Sequence, residues 1–420
     1  MELFIQLIGA FTTAKEVVEA STTVMDWVVE KINSWSKATP SKKIDDQIVK
    51  IAKVTEGEIR KADDKAFSGK KSPITPEQRE ELIGILINMT RNVRARNSYG
   101  VMRSSFLRSE RLLDQLLSDA EPARHWGEPV APGQPWVLQR YLGMGSFGEV
   151  WMARNPHYPI ARAYKFFTRT ESGEWLRREQ RNLVEVLKRL GNHPNIVGFI
   201  NVQMSGCDYP FIELEYLAGG SLEEWILEEQ SLRPAIDNRE IIRQIVLGLA
   251  AAHEQQIAHR DLKPANILLS EAPDLLIKIA DFGLAKVSGP PRAGASALAS
   301  LAGLVGTALY LPPEAQLRGT RRSPFQDDVF AVGVIWYQLL VDAIERPPYD
   351  FAARLRGKGV DPRTIEIIER CLAHPDQRYP NAVSLEFDLR QVGDIPEVKP
   401  PTPGLPDVQH LIRAYLFSLV

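Results

Sequence analysis

The sequence predicts an α+β protein: a helical amino-terminal part, then a small strand-rich part, then a larger, mainly helical part. Three observations predict it. Apolar residues recur at helical spacing through most of residues 3–117. From Trp136 the pattern changes to short runs that read as strands, the first two joined across a glycine-rich turn as an antiparallel hairpin. At residue 238 an amphipathic helical run returns.

Bulk composition excludes several classes of protein. The chain has 420 residues, 25% of them charged and 44% hydrophobic, which suits two or three globular domains. A formal net charge of -2 gives no global basic field, so no nucleic-acid partner is expected. Cys207 and Cys371 are the only cysteines, stand in no metal-ligand spacing, and fit a reducing cytoplasm. No stretch approaches the roughly 20 apolar residues of a membrane helix. The start Met1-Glu2-Leu3-Phe4 lacks a basic region, so no signal peptide is read and a cytoplasmic location is expected.

Residues 1–120 read as an all-α domain. A first helix over 3–35 has Val17, Val18, Val24, Trp27, Val28 and Ile32 as core positions. A second, over 45–67, is flanked and lined by Ile44, Ile48, Ile51, Ala52, Val54 and Ile59. A third is announced by Thr75-Pro76-Glu77-Gln78: Thr75 can cap, Pro76 suits the first helical position, and Gln78 can reach back as in a capping box. Its broad apolar face carries Leu82, Ile83, Ile85, Leu86, Met89 and Val93, and a fourth helix is expected over 101–117. Arg91, Arg94, Arg96, Arg103, Arg108 and Arg111 accumulate along the last two. They read either as a basic surface that docks a phosphorylated or acidic partner or as a solvated helix face. Such helices also offer a surface for pairing two copies of the chain as a homodimer. Residues 121–135, with four prolines and two glycines, read as an extended, semi-rigid linker.

The chemistry concentrates in His259-Arg260-Asp261-Leu262-Lys263-Pro264-Ala265-Asn266. Phosphoryl transfer needs a carboxylate at the attacking hydroxyl, a cation near the moving phosphate and an oxygen ligand for magnesium. Asp261, Lys263 and Asn266 supply these within six positions, and a short loop can aim them at one point. Gly143-Met144-Gly145-Ser146-Phe147-Gly148 is followed by a strand starting at Glu149-Val150, where a dinucleotide-binding fold would start a helix. A hairpin flap results, whose glycines let backbone amides approach phosphates. Residues 161–167 continue as a strand carrying Lys165. The sequence Asp281-Phe282-Gly283 stands twenty positions after Asp261 (281 minus 261).

In this order the motifs resemble those of the protein kinases over about residues 136–392, and the resemblance implies a bilobal fold of a small antiparallel β lobe and a large helical lobe. It implies a kinase domain at 136–393, beside the helical domain at 1–120, the linker at 121–135 and a tail at 394–420 that the residue pattern reads as proline-rich with a short helix over 407–420. It also implies ATP and Mg2+. Gly143, Gly145 and Gly148 would cover the phosphates and Val150 the adenine. Lys165 would grip the α- and β-phosphates and be oriented by Glu179 or, if the register slips, by Glu185. In Phe211-Ile212-Glu213-Leu214-Glu215-Tyr216-Leu217-Ala218-Gly219-Gly220-Ser221, which resembles the hinge between lobes, Leu214 is the gatekeeper. The backbones of Glu215 and Leu217 would meet adenine and Ser221 the ribose. Asp261 would be the catalytic base, Lys263 its cationic neighbour, and Asn266 and Asp281 the metal ligands. His259 would pack behind the loop.

Further on, Gly306-Thr307-Ala308-Leu309-Tyr310-Leu311-Pro312-Pro313-Glu314 resembles the family's segment before its Pro-Glu. Glu314 would pair with Arg378, and Asp328 would anchor the catalytic loop. Thr307 and Lys263 together imply serine/threonine protein substrates. Ser296 and Ser300 are candidate phosphosites. Two other readings stand beside this one: a pseudokinase scaffold whose helical domain carries the function, and a small-molecule phosphotransferase of the aminoglycoside-kinase type.

Overall fold

The computed structural model describes residues 28, 32, 34, 39, 41–67, 75–97, 122–144, 148–168, 186, 189–228, 236–271, 275–282, 309–316 and 323–391. Glu179, Glu185, Gly145, Ser296, Ser300 and Thr307 lie outside these residues, as do Arg103, Arg108, Arg111 and the tail.

Three helices come first: α1 (Ser41–Ile51), α2 (Glu56–Phe67) and α3 (Pro76–Asn97). The single helix expected over 45–67 is therefore two. The break has a local cause, since Thr55 caps α2: its Oγ1 accepts the Glu58 N–H at 3.2 Å, and Glu58 Oε2 accepts the Thr55 N–H at 2.8 Å. At α3 the expected capping box forms, with Thr75 Oγ1 accepting the Gln78 N–H at 3.3 Å and Gln78 Oε1 accepting the Thr75 N–H at 3.0 Å. Ile44, Ile48, Ile51, Ile59, Leu82, Ile85, Leu86 and Met89 are buried among these helices.

Five antiparallel strands follow: β1 (Val137–Met144), β2 (Glu149–Asn155), β3 (Tyr158–Phe166), β4 (Phe199–Gln203) and β5 (Phe211–Glu215), in the order β1-β2-β3-β5-β4. The alternation of each strand sends Tyr141, Trp151, Tyr164, Phe166 and Phe211 into one aromatic cluster. The stretch 122–136 is no free spacer. Val130 and Ala131 are buried against that cluster, and the Arg124 guanidinium lies 4.7 Å over the Phe166 ring while donating to Pro129 O at 2.6 Å. Proline makes the segment turn, and apolar surface on the sheet gives it something to pack on.

The larger half comprises α4 (Leu222–Leu227), α5 (Asn238–Glu254), the hairpin β6 (Ile267–Leu269) and β7 (Ile277–Ile279), α6 (Pro324–Val341), α7 (Phe351–Gly357), α8 (Pro362–Leu372) and α9 (Ala382–Arg390). Its core is α6, apolar on every side and buried accordingly, packed by α5, α8 and α9. At Gly333 an added Cβ would lie 2.7 Å from Cys371 Cβ, so α6 and α8 approach as closely as they do because no side chain intervenes. Among the described residues no helix is long and apolar enough to cross a membrane.

Helix α3 packs on the free edge of the sheet. An added Cβ at Gly84 would crowd the Tyr141 ring at 3.3 Å, Asn88 Nδ2 donates to Tyr141 Oη at 2.6 Å, and Glu80 Oε1 accepts the Tyr141 N–H at 2.8 Å. An edge strand has unpaired backbone groups, and here the helical part supplies partners for some of them.

Candidate active site

Strand register brings the first group of residues together. Gly143 on β1 stands opposite Val150 on β2, and Val150 stands opposite Lys165 on β3. Gly143 (φ 139°) and Gly148 (φ 156°) have backbone conformations that side chains disfavour, and a Cβ at Gly148 would overlap the carbonyl of Phe166. Lys165 is almost wholly buried, and its Nζ donates to both carboxylate oxygens of Asp281 at 2.8 Å. A buried ammonium is tolerable only with such a counter-charge. Asp281 reaches it from a left-handed backbone (φ 64°), an uncommon conformation for this residue.

The second group sits on the turn before β6. Lys263 Nζ donates to Asp261 Oδ2 at 2.8 Å. Asn266, at the end of a short 3₁₀ turn (Pro264–Asn266), donates from Nδ2 to Asp261 O at 2.8 Å and to Asp261 Oδ2 at 3.2 Å. Its amide nitrogen is thus spent on Asp261, which leaves its oxygen as the donor available to a cation.

Three buried groups hold this turn. His259 Nδ1 accepts the Asp261 N–H at 3.3 Å, so its proton is on Nε2, which donates to Ala280 O at 2.7 Å. The His259 ring also meets Phe282 edge-on at 4.8 Å. Asp328 projects from the apolar α6 and accepts the N–H groups of His259 and Arg260, both at 2.7 Å. His253 Nδ1 accepts the Ala382 N–H at 3.0 Å, so its Nε2–H donates to Asp328 at 3.1 Å. Arg260 takes φ 70° in consequence, a strained position that these bonds over-determine. Further off, Arg378 donates to Glu314 Oε1 at 2.7 Å, the pairing expected between them.

Between the two groups runs residues 211–221. Leu214 stands opposite Ala163, and the Glu215 N–H is bonded to Gly198 O at 2.9 Å. Lys278 holds the Glu215 carboxylate at 2.6 Å. Gly219 lies against the carbonyl of Ser270, where a Cβ would collide, and the Gly219 N–H donates to Leu269 O at 3.0 Å. Ser221, expected at a ribose, caps α4. It is buried, its Oγ accepts the Glu224 N–H and donates to Glu224 Oε2, each at 3.2 Å.

Sequence reasoning missed the reach of the helical part into this region. Arg94 is buried; it donates to Ala52 O at 2.8 Å and Val54 O at 2.9 Å and pairs with Glu223 of α4. Arg91 donates to Leu142 O at 2.6 Å. Neither is a solvated face or a dock for an outside partner. Asn88, Arg91 and Arg94 are three apart and share one face, a signal the sequence did contain.

The family model for the protein kinase domain matches residues 136–384, more than half of the chain, and the protein belongs to that family. Members act on ATP with a divalent metal. Among individual relatives, the serine/threonine-protein kinase PknL of Mycobacterium tuberculosis is 34% identical over 212 residues, covering 46% of this chain and 51% of PknL. PrkC of Bacillus subtilis, also named a serine/threonine-protein kinase, is 28% identical over 281 residues, covering 62% of this chain and 40% of PrkC. The chain thus spans about half the length, or less, of these curated relatives. Among solved structures, the kinase domain of Mycobacterium tuberculosis PknI aligns with a TM-score of 0.45 and 22% identity, over 63% of this chain and 98% of that one.

The residues fit a small hard cation. Mg2+ takes one or two carboxylates with further oxygen donors from phosphates and water. Asp281 offers the carboxylate and Asn266 the amide oxygen, and the Ala280 N–H bonded to Asn266 O at 2.8 Å holds their two segments side by side.

Proposed function

We propose that this protein is a serine/threonine protein kinase that transfers the γ-phosphoryl group of ATP to protein hydroxyls, its own among them. The observation that carries the reading is the convergence of Lys165 on Asp281 and of Lys263 and Asn266 on Asp261, in a chain of the protein kinase family. Lys165 would exchange its bond to Asp281 for the α- and β-phosphates, with Glu179 orienting it. Gly143, Gly145 and Gly148 would cover the phosphates, Val150 would lie on the adenine, and the backbones of Glu215 and Leu217 would bond its edge. Asp261 would accept the proton of the attacking serine or threonine hydroxyl as its oxygen bonds to phosphorus. The bond from phosphorus to the β–γ bridging oxygen breaks, and ADP leaves with that electron pair. Lys263 would stay beside Asp261 and meet the moving phosphoryl group with positive charge. Bound Mg2+, held by Asp281 and Asn266, would neutralise charge on the phosphate oxygens. The same reading divides the chain into a helical part over 1–120, a linker over 121–135 and the kinase domain over 136–393.

The test is the intact mass of purified full-length protein incubated with Mg-ATP, alone and with myelin basic protein, beside Asp261→Asn. Gain of phosphoryl groups by the wild type or by the added substrate, and a loss of roughly 10²–10⁴-fold in rate for Asp261→Asn, is the expected result. A wild-type chain that binds ATP and phosphorylates neither would overturn the reading in favour of a pseudokinase.

A further inference from the structure

Arg91 lies outside the stretch matched by the kinase family, yet its guanidinium bonds the chain immediately before the glycine turn. One nitrogen, Nη1, donates to the carbonyl of Leu142, the residue immediately before the glycine turn. A Cβ at Gly143 would overlap the same guanidinium, so the first glycine of the turn makes room for Arg91. The other nitrogen, Nη2, faces Glu224 Oε1 at 3.6 Å and Glu56 Oε2 at 3.8 Å. Glu224 in turn uses Oε2 to hold the N–H and hydroxyl of Ser221, the residue that closes the segment joining the two lobes. One side chain therefore links the end of β1 to the start of α4.

The neighbouring contacts keep that tie in place. Arg94, one turn further along α3, pairs with Glu223 beside Glu224 and is anchored on two carbonyls of the α1–α2 break. Arg140 of β1 is held 3.0 Å from Glu56 and reaches the Tyr216 hydroxyl at 3.4 Å. Two carboxylates of α4 and one of α2 thus face two arginines of α3 and one of β1, a network in which the planar fork of Arg91 meets both the main-chain carbonyl before the glycine turn and a carboxylate of α4.

We propose that Arg91 is a positioning residue for nucleotide binding, supplied by the helical part: it sets the spacing between the glycine turn and the start of α4, and so the affinity for ATP. The proposal rests on the nucleotide-cleft reading above. It makes α3 the element through which anything acting on the helical part would change the kinase, by moving Arg91.

The experiment compares full-length wild type, Arg91→Lys and Arg91→Ala. It measures the affinity for a fluorescent N-methylanthraniloyl ADP with Mg2+, the KM for ATP and kcat on myelin basic protein, and the melting temperature. A lysine keeps charge and stem but cannot serve Leu142 O and Glu224 together. The expected result is a rise in KM and in the ADP dissociation constant of about tenfold for Arg91→Ala and about threefold for Arg91→Lys, with kcat within about twofold of wild type. A purely structural role would lower the active fraction, and hence kcat, and leave KM where it was. Unchanged KM and nucleotide affinity in Arg91→Lys and Arg91→Ala overturns the proposal, and where Arg91→Ala does not fold the lysine variant decides alone. A wild type that binds no ADP analogue overturns the cleft reading itself, and this inference with it.

Discussion

At the scale of single residues the carboxyl of Glu149 is the most unusual group. It follows Gly148, is fully buried, and accepts the Ala123 N–H at 2.9 Å. Burial pushes its pKa up to about 7, against the pull of the Ala123 and Arg124 N–H groups. In the unfolded chain it titrates near 4.5. The folded protein therefore holds the proton more tightly, so this residue's contribution is most favourable below pH 4.5, declines as pH rises to 7, and is lost beyond. The full span amounts to roughly 3 kcal/mol. Glu149→Gln keeps an acceptor for Ala123 and removes the titration. We expect it to raise the melting temperature at pH 8 while changing it little at pH 4.5, as calorimetry at the two pH values would reveal. A gain of equal size at both would show that burial of charge is not the cause.

At the scale of elements, the turn around Asp261 is held from behind. Asp328 fixes its backbone from α6, and α6 is itself fixed by α8 at the Gly333–Cys371 contact. A methyl group at 333 has nowhere to go, since Cys371 Cβ and Leu372 Cδ2 stand 2.7 and 3.0 Å from it. Gly333→Ala should cost about 1–3 kcal/mol in stability by overpacking, measurable by urea denaturation. Some elements were readable beforehand. The box at Thr75 and Gln78 is local chemistry, and it started α3 where the residues said it would. The split of α1 from α2 was equally local, through Thr55 and Glu58, but the apolar period of Ile44, Ile48, Ile51 and Ile59 continues across it and masks the cap.

At the scale of the whole molecule, the helical part and the sheet share buried ionic contacts. Arg60 joins Glu80 at 2.9 Å and Tyr141 O at 3.2 Å, while Arg94 joins Glu223 across to α4. Deleting one partner of such a set leaves the others buried without compensation. Arg94→Ala would strand the carbonyls of Ala52 and Val54 and the Glu223 carboxylate, and should cost about 3 kcal/mol. Differential scanning calorimetry should show one cooperative transition for the wild type and an earlier separate melting of the helical part in the variant. A single unshifted transition would mean that the two parts do not depend on each other in this way.

The sequence by itself determined what lies within a few residues of itself. Asp261, Lys263 and Asn266 had to converge because six positions of turn leave them little room to part, and the glycines at 143 and 148 had to make a turn because the chain resumes as strand at Glu149. Lys165 and Asp281 stand 116 positions apart; the likeness of the motifs assigned both to one nucleotide site but expected Glu179 or Glu185, not Asp281, as the carboxylate beside Lys165. The tertiary structure decided the rest. Arg91 is 51 positions from Leu142 and Arg94 is 129 from Glu223, and an arginine on an amphipathic helix looks the same whether water or a carboxylate will face it. What settles the matter is which edge of the sheet the helix covers. That is fixed by Gly84, Asn88 and Glu80 meeting Tyr141, contacts no local pattern contains.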